Sequence, residues 1–304
     1  MGNLKRCSHR GMINQSTYCL MFIFALMMIL QSSFAQAMPV LRLCTGSPQG
    51  HYFAVGKMIS TAISRDIDLK VEETRGSWEN LGRVHGSPTQ CDAIIAQDDA
   101  VAVYLYEHPE KVGEIERIMP LYPEHVQVVC NQEVTAQSLS MLHPDTRMLV
   151  GTYGTGTFIT WSLIKRLAPD RYGVFRELEL GGQKGIDHML NTHRPQCLLL
   201  VQALAQGIMA QVNDELGNRF KLIRIDDPSF QIPINQGGTP RVLFQTVEIH
   251  KSVYPRLLTQ HLPTQTVDAV FYLRNDWRQM YPREAEHLRS LLIKMQSRIR
   301  RSID

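Results

Sequence analysis

Three short stretches combine glycines with small and polar residues in a way that suits anion binding. They are Thr45-Gly46-Ser47-Pro48-Gln49-Gly50-His51-Tyr52, Thr74-Arg75-Gly76-Ser77-Trp78-Glu79-Asn80 and Gly151-Thr152-Tyr153-Gly154-Thr155-Gly156-Thr157. Each follows a short apolar run and precedes an amphipathic one. At such a junction the first helical amides lack an intrahelical acceptor and the helix dipole is positive, so a carboxylate is held there if nothing bulky blocks it. A single loop of this kind reads first as a turn, because glycine serves turns everywhere. Three at the carboxyl ends of strands in an open α/β sheet suggest one shared pocket.

Other chemistries fit less well. Gly151 and Gly156 have P-loop spacing, but Thr157 stands where the phosphate-binding lysine is required, which disfavours nucleotides. His51 reads as a protonated anion ligand or as a polar rim residue, and Arg75 as a bidentate carboxylate ligand or as a solvated arginine. Asp98 and Asp99 read as helix caps rather than metal ligands, since no HExxH, EF-hand loop or comparable cluster accompanies them. No GxSxG frame is present. These observations favour a binding protein over an enzyme, with no catalytic residue, metal or cofactor expected.

The elements that position the loops follow from alternating apolar runs. Strands are expected over Val40–Cys44, Leu69–Glu73, Ala93–Ala96, Met148–Gly151, Leu198–Val201, Phe220–Ile225 and Val267–Arg274. Two more extended segments span Ile118 to Cys130, broken at Pro123. Helices are expected over Tyr52–Ser64, Ser77–Val84, Asp98–Glu107, Thr157–Leu167, Ala203–Asp214 and Glu284–Ile299. The alternation restarts after Asp145, which implies a second α/β unit.

Lys5, Arg6 and Arg10 precede an apolar run from Tyr18 to Leu30 and the small-residue pattern Ala35-Gln36-Ala37. This reads as a cleaved secretory signal, the alternative being an uncleaved anchor helix. The formal charge of +3 resides in that segment, and the remainder is neutral, with no basic block to suit nucleic acid or anionic lipid. Four cysteines follow the signal, Cys44, Cys91, Cys130 and Cys197. Their spacing matches no zinc pattern, and their apolar surroundings suggest small buried hydrophobes, with pairing permitted but not assignable.

In combination and order, TGSPQGHYFAVG, ETRGSWENLGRV, CDAIIAQDDAV, LYPEHVQVVC and VGTYGTGTF resemble the TAXI-type solute-binding proteins of tripartite TRAP transporters. The resemblance is good from about Leu41 to Leu167 and weak beyond. It implies a two-lobed periplasmic-binding-protein fold of class α/β, with two mainly parallel sheets flanked by helices and a ligand cleft between the lobes. The expected division is 1–37 signal peptide, 38–127 first part of lobe 1, 128–267 lobe 2, and 268–304 return to lobe 1. Ligand contacts are implied at Gly46, Gly50, Tyr52, Ser77, Asn80, Gln97, Gly154, Thr155 and Thr157. The implied ligand is a small anionic metabolite, a dicarboxylate or acidic amino acid, delivered in the periplasm to the permease subunits of a TRAP transporter. Ser47-Pro48-Gln49, Arg75 and the C-terminal third depart from the family pattern. The alternatives are a ligand-sensing module for a membrane kinase and a secreted enzyme on the same fold. Substitutions at Gly156, Thr157, Ser77 and Asn80 are expected to weaken binding without melting the protein.

Overall fold

The alternating runs become strands and helices in a computed structural model that describes residues 38–235 and 240–303; the expected signal segment lies outside them. The first unit is β1 (Val40–Cys44), α1 (His51–Ile63), β2 (Asp68–Glu72), α2 (Ser77–Val84), β3 (Ala93–Gln97) and α3 (Asp98–Glu107). A long β4 (Ile115–Asn131) leads into the second unit. That unit is β5 (Arg147–Leu149), α4 (Gly156–Leu167), α5 (Pro169–Tyr172), β6 (Arg176–Leu178), α6 (Gly182–Leu190), β7 (Gln196–Gln202), α7 (Gly207–Leu216) and β8 (Phe220–Ile223). After the small ribbon β9 (Ile234–Asn235) and β10 (Pro240–Arg241), the chain returns through β11 (Gln245–Ile249) and β12 (Leu262–Arg274). It ends in α8 (Asn275–Met280) and α9 (Pro282–Ile303).

Ten strands form one sheet in the order β2-β1-β3-β12-β4-β7-β5-β6, with β11 on β12 and β8 on β4. Each wing is parallel, β2-β1-β3 on one side and β7-β5-β6 on the other. Strand order reverses at β1/β3 and again at β5/β7, and crevices outside the carboxyl ends of strands open at such reversals. The class is α/β, as expected, but the two wings share one ladder because β4 and β12 pair antiparallel and run on into both. The expected crossings at 127/128 and 267/268 fall inside these two strands.

Several boundaries differ from the sequence reading for local reasons. Pro123 does not break the strand: it sits opposite Asp268, and register shifts beside Tyr122/Pro120 and Met119/Arg117 absorb the extra residues as bulges. Ala203 to Gln206 is not helical. Ala205 has a φ of 52°, its amide donates to the Tyr254 hydroxyl at 2.9 Å, and α7 starts only at Gly207. β6 and α6 were not read from the sequence, being short and rich in glycine and charge.

One core lies under α2, α3 and α4, a second under α1 and α9, and a third under α6 and α7. α9 closes the second through Leu288, Leu292, Met295 and Ile299 at helical spacing, all buried. Burial of each such side chain stabilises the fold by about 1.5–3 kcal/mol. Among the described residues no helix is long and apolar enough to cross a membrane.

The four cysteines are not simply apolar fillers. Cys44 pairs with Cys91, and Cys130 with Cys197, the latter two directly opposed in the β4–β7 ladder. The bonds close loops of 47 and 67 residues. Oxidised protein should therefore show no thiol titrating with Ellman's reagent until it is unfolded and reduced. Cys130→Ala/Cys197→Ala should lower stability by about 2–4 kcal/mol in urea unfolding. Titration of four thiols in the native, unreduced protein would contradict the pairing.

Candidate functional site

The end of β3 and the start of α1 hold the inner part of the site. Asn80 is fully buried and braces two loops from beneath. Its Nδ2 donates to the carbonyls of Thr45 at 2.6 Å and Ile95 at 2.8 Å, and its Oδ1 accepts from Thr74 Oγ1 at 2.6 Å. The Thr74 amide also donates to the Gly46 carbonyl at 3.2 Å, so the first two loops form one unit. Gly50 caps α1 and its amide returns to Ser47.

From that base a chain of hydrogen bonds runs across the site. The Gln97 backbone amide donates to Ser77 Oγ at 3.1 Å, the Ser77 side chain lies near the Tyr52 hydroxyl, and that hydroxyl donates to Glu124 Oε2 at 3.2 Å. The Gln97 side chain also lies near Glu124 and favours its charged form. Glu124 lies on β4 and is half-buried. Burial pushes its carboxyl up to about 8, with the nearby charge of Asp99 adding to the rise. Burial likewise pushes Asp99 up to about 7, against the hydrogen bond that Thr160 of α4 donates to it.

The other wing brings the third loop against this chain. A Cβ on Gly156 would stand 2.0 Å from Gln97 Oε1, so any side chain there would displace the end of the Gln97 side chain. Gly154 packs on Trp78, where a Cβ would meet the indole at 3.6 Å, and its φ of 81° is one that glycine adopts freely. Thr155 caps α4, its hydroxyl accepting from the Phe158 amide at 3.3 Å and donating to the Thr152 carbonyl at 2.8 Å. The Gly156 and Thr157 amides, at the start of α4, have no acceptor within the helix. His51, its pKa lowered by burial, bonds the side chain of Gln206 in the loop after β7.

The structure thus brings Tyr52, Ser77 and Gln97 together and sets Gly154 on Trp78 and Gly156 on Gln97, with Thr157 next to Gly156 at the start of α4. Gly46, Asn80 and Thr155 support them, and Gly50 starts α1. Because Ser77 and Asn80 satisfy buried groups, their replacement by alanine costs about 1–3 kcal/mol of stability, so affinity and stability do not separate at these two positions. Arg75 is exposed and paired with Glu79. Asp98 does not cap α3: it is buried between Arg117, Arg241 and the Tyr272 hydroxyl. Glu124, His51 and Gln206 were not read as one cluster, because an acid inside a strand and a glutamine in a loop carry no sequence pattern. Outside the Trp78–Gly154 contact lies a groove of about 910 Å³, lined in part by Trp78, Tyr104, Tyr153 and Thr155. Among the described residues no three His, Cys, Asp or Glu side chains converge to hold a metal.

The sequence profile of the NMT1-like family matches residues 43–280. No curated protein matches the chain. Among solved structures, an ancestral arginine-binding protein bound to arginine is similar at 10% identity over 87% of this chain and 97% of that one, with a TM-score of 0.50. A TctC solute binding protein from Polaromonas, solved without ligand, gives 12% identity over 86% of each chain and a TM-score of 0.49. The substrate binding protein of an amino acid ABC transporter gives 11% identity over 85% and 93%, with a TM-score of 0.47. The first of these shares the fold, and at such identity the likeness extends no further.

The two raised carboxyls set a pH dependence. Folded Glu124 and Asp99 keep protons to higher pH than they do in the unfolded chain, so the folded state binds more protons between roughly pH 4 and 8. Their contribution to stability is therefore present at the acid end of this window and is lost as pH rises through it. Melting temperatures of ligand-free protein at pH 5, 6, 7 and 8 should fall more steeply for wild type than for Glu124→Gln or Asp99→Asn. Parallel curves for all three would contradict the assignment.

Proposed function

The chain belongs to the NMT1-like family, and from that premise we propose that it is an exported solute-binding receptor for a small carboxylate-bearing metabolite. In this reading the wings are two lobes, 38–127 with 268–304 and 128–267, which hinge on β4 and β12. The solute lies where they meet and is passed to the permease subunits of a TRAP-type transporter. Two disulfides and the signal-like segment before residue 38 agree with a periplasmic location. The transporter class is supported by the motifs shared with TAXI-type receptors.

One observation carries the proposal: the open amino end of α4 faces the hydrogen-bond chain from Gln97 through Ser77 and Tyr52, and Gly156 lets the two approach. A carboxylate entering there would take the amides of Gly156 and Thr157 in place of water. It would meet the Thr157 hydroxyl beside them. Gly46, Gly50, Tyr52, Ser77, Asn80, Gln97, Gly154, Thr155 and Thr157 then either touch the solute or fix those that do. Binding rather than turnover is the proposed role.

Protein purified natively and then denatured should release a small carboxylate detectable by mass spectrometry. Titration calorimetry with that compound should show Gly156→Leu abolishing binding, since the side chain would fill the contact with Gln97. Thr157→Val should weaken binding by about 0.5–1.5 kcal/mol without changing the melting temperature. Unchanged affinity in both variants would place the solute elsewhere.

A further inference from the structure

Each acid of α3 is bound by a residue of the other wing. Arg241 of β10 donates to Asp98 Oδ2 at 2.7 Å, Thr160 of α4 to Asp99 Oδ2 at 2.5 Å, and Arg166 of α4 to Glu107 Oε1 at 2.5 Å. The ribbon that carries Arg241 is rooted in the second wing. Asp227, just before it, takes the Tyr172 hydroxyl and Arg171, and Phe230 meets Phe244 edge to face at 5.1 Å. All three bonds run from protein to protein, so the attraction they supply does not depend on a solute.

The three differ in weight. Glu107 and Arg166 are both more than a third exposed, and an ion pair so placed adds little. Thr160 is a neutral donor. The Asp98 side chain is only 2% exposed, and water and salt screen a buried pair far less than an exposed one. Its partners also divide by wing. Arg117 holds Oδ2 through Nε at 3.1 Å and Nη2 at 2.9 Å, and the Tyr272 hydroxyl donates to Oδ1; these two residues oppose each other in the β4–β12 ladder. Arg117 reaches Asp268 as well, at 3.2 Å, and the charges of Arg300 on α9 and of Arg241 also bear on Asp268. Arg241 can therefore leave without stranding Asp98, and it is drawn back by Asp98 and Asp268 together.

We propose that Arg241 is the latch of the two wings: its bond to Asp98 holds the seam along α3 shut with or without solute, and its release opens the site. Asp98 directly follows Gln97, on which Gly156 packs, so the latch acts one residue away from a contact between the wings at the site itself. This rests on the two-lobed reading above, and it makes solute access wait on an ion pair within the protein.

The test is double electron–electron resonance on the mature protein without added solute. Nitroxide labels are placed on Lys57→Cys of α1 and Lys184→Cys of α6, exposed positions on opposite wings. Cys44, Cys91, Cys130 and Cys197 are held in disulfides and stay unlabelled. The labelled parent should give one distance. Arg241→Ala should add a second, longer one in about a tenth of the molecules or more. Arg241→Lys, which keeps a cation, should add less of it, and Arg166→Ala none. The latch is overturned if Arg241→Ala and the parent give the same distribution, if Arg166→Ala opens the protein equally, or if Arg241→Lys opens it as far as Arg241→Ala. Loss of the cooperative melting transition in Arg241→Ala overturns it too, because the arginine would then be part of what folds the wings. None of these outcomes bears on solute capture, which the compound released from denatured protein decides separately.

Discussion

The antiparallel ladder between β4 and β12, running from Gln265 opposite Val126 to Arg274 opposite Ile115, carries the rest of the structure. Each strand is long enough to leave one wing and enter the other: β12 pairs with β3 at one end and β11 at the other, and β4 continues onto β7 and β8. The parallel units could not otherwise be joined edge to edge, because a parallel crossover needs a helix and returns the chain to the same end of the sheet. The ladder sets the two strand-order reversals side by side. It also places Glu124, two positions from Tyr122 on β4, between them. The bulges at Leu121 and Ile118 let two prolines remain in a strand that has to be continuous.

Polar groups converge at that point because both wings end their strands there. Helix starts bring unpaired amides, and the buried side chains of Asn80, Thr74 and Ser77 fix the loops without occupying the cleft. The arrangement is rigid beneath and spare above. Its acids differ: Asp98 has arginines and is locked into the fold, while burial raises the pKa of Glu124 and Asp99. Of the contacts across the wings, Gly156 on Gln97 leaves no room for a Cβ as the Gln97 side chain stands, whereas Gly154 on Trp78 would accept one sterically and is set by its φ of 81°.

Much of this was legible from residue order alone. α2 and α3 begin and end where the periodicity placed them, and β1 likewise, because short apolar runs beside Gly and Ser leave little freedom in register. Of the three glycine loops, the first two are bonded together and the third packs on Trp78 of the second. What was hidden depends on partners distant in sequence. The loop after β7 reads as helix until Tyr254 takes the amide of Ala205, and Pro123 reads as a break until Asp268 is seen opposite. Cysteine pairing needs the register of β4 on β7, which no local pattern contains. Glu124 was passed over because a single acid within an apolar strand looks the same whether it faces solvent, an arginine or a cleft.

The account stands most directly on where the solute lies. A crystal structure of the protein purified natively with its ligand retained would decide it. The account predicts density between the wings, with a carboxylate on the amides of Gly156 and Thr157. Density in the outer groove beside Trp78 and Tyr153, with Tyr52, Gln97 and Glu124 still bonded to one another, would contradict it.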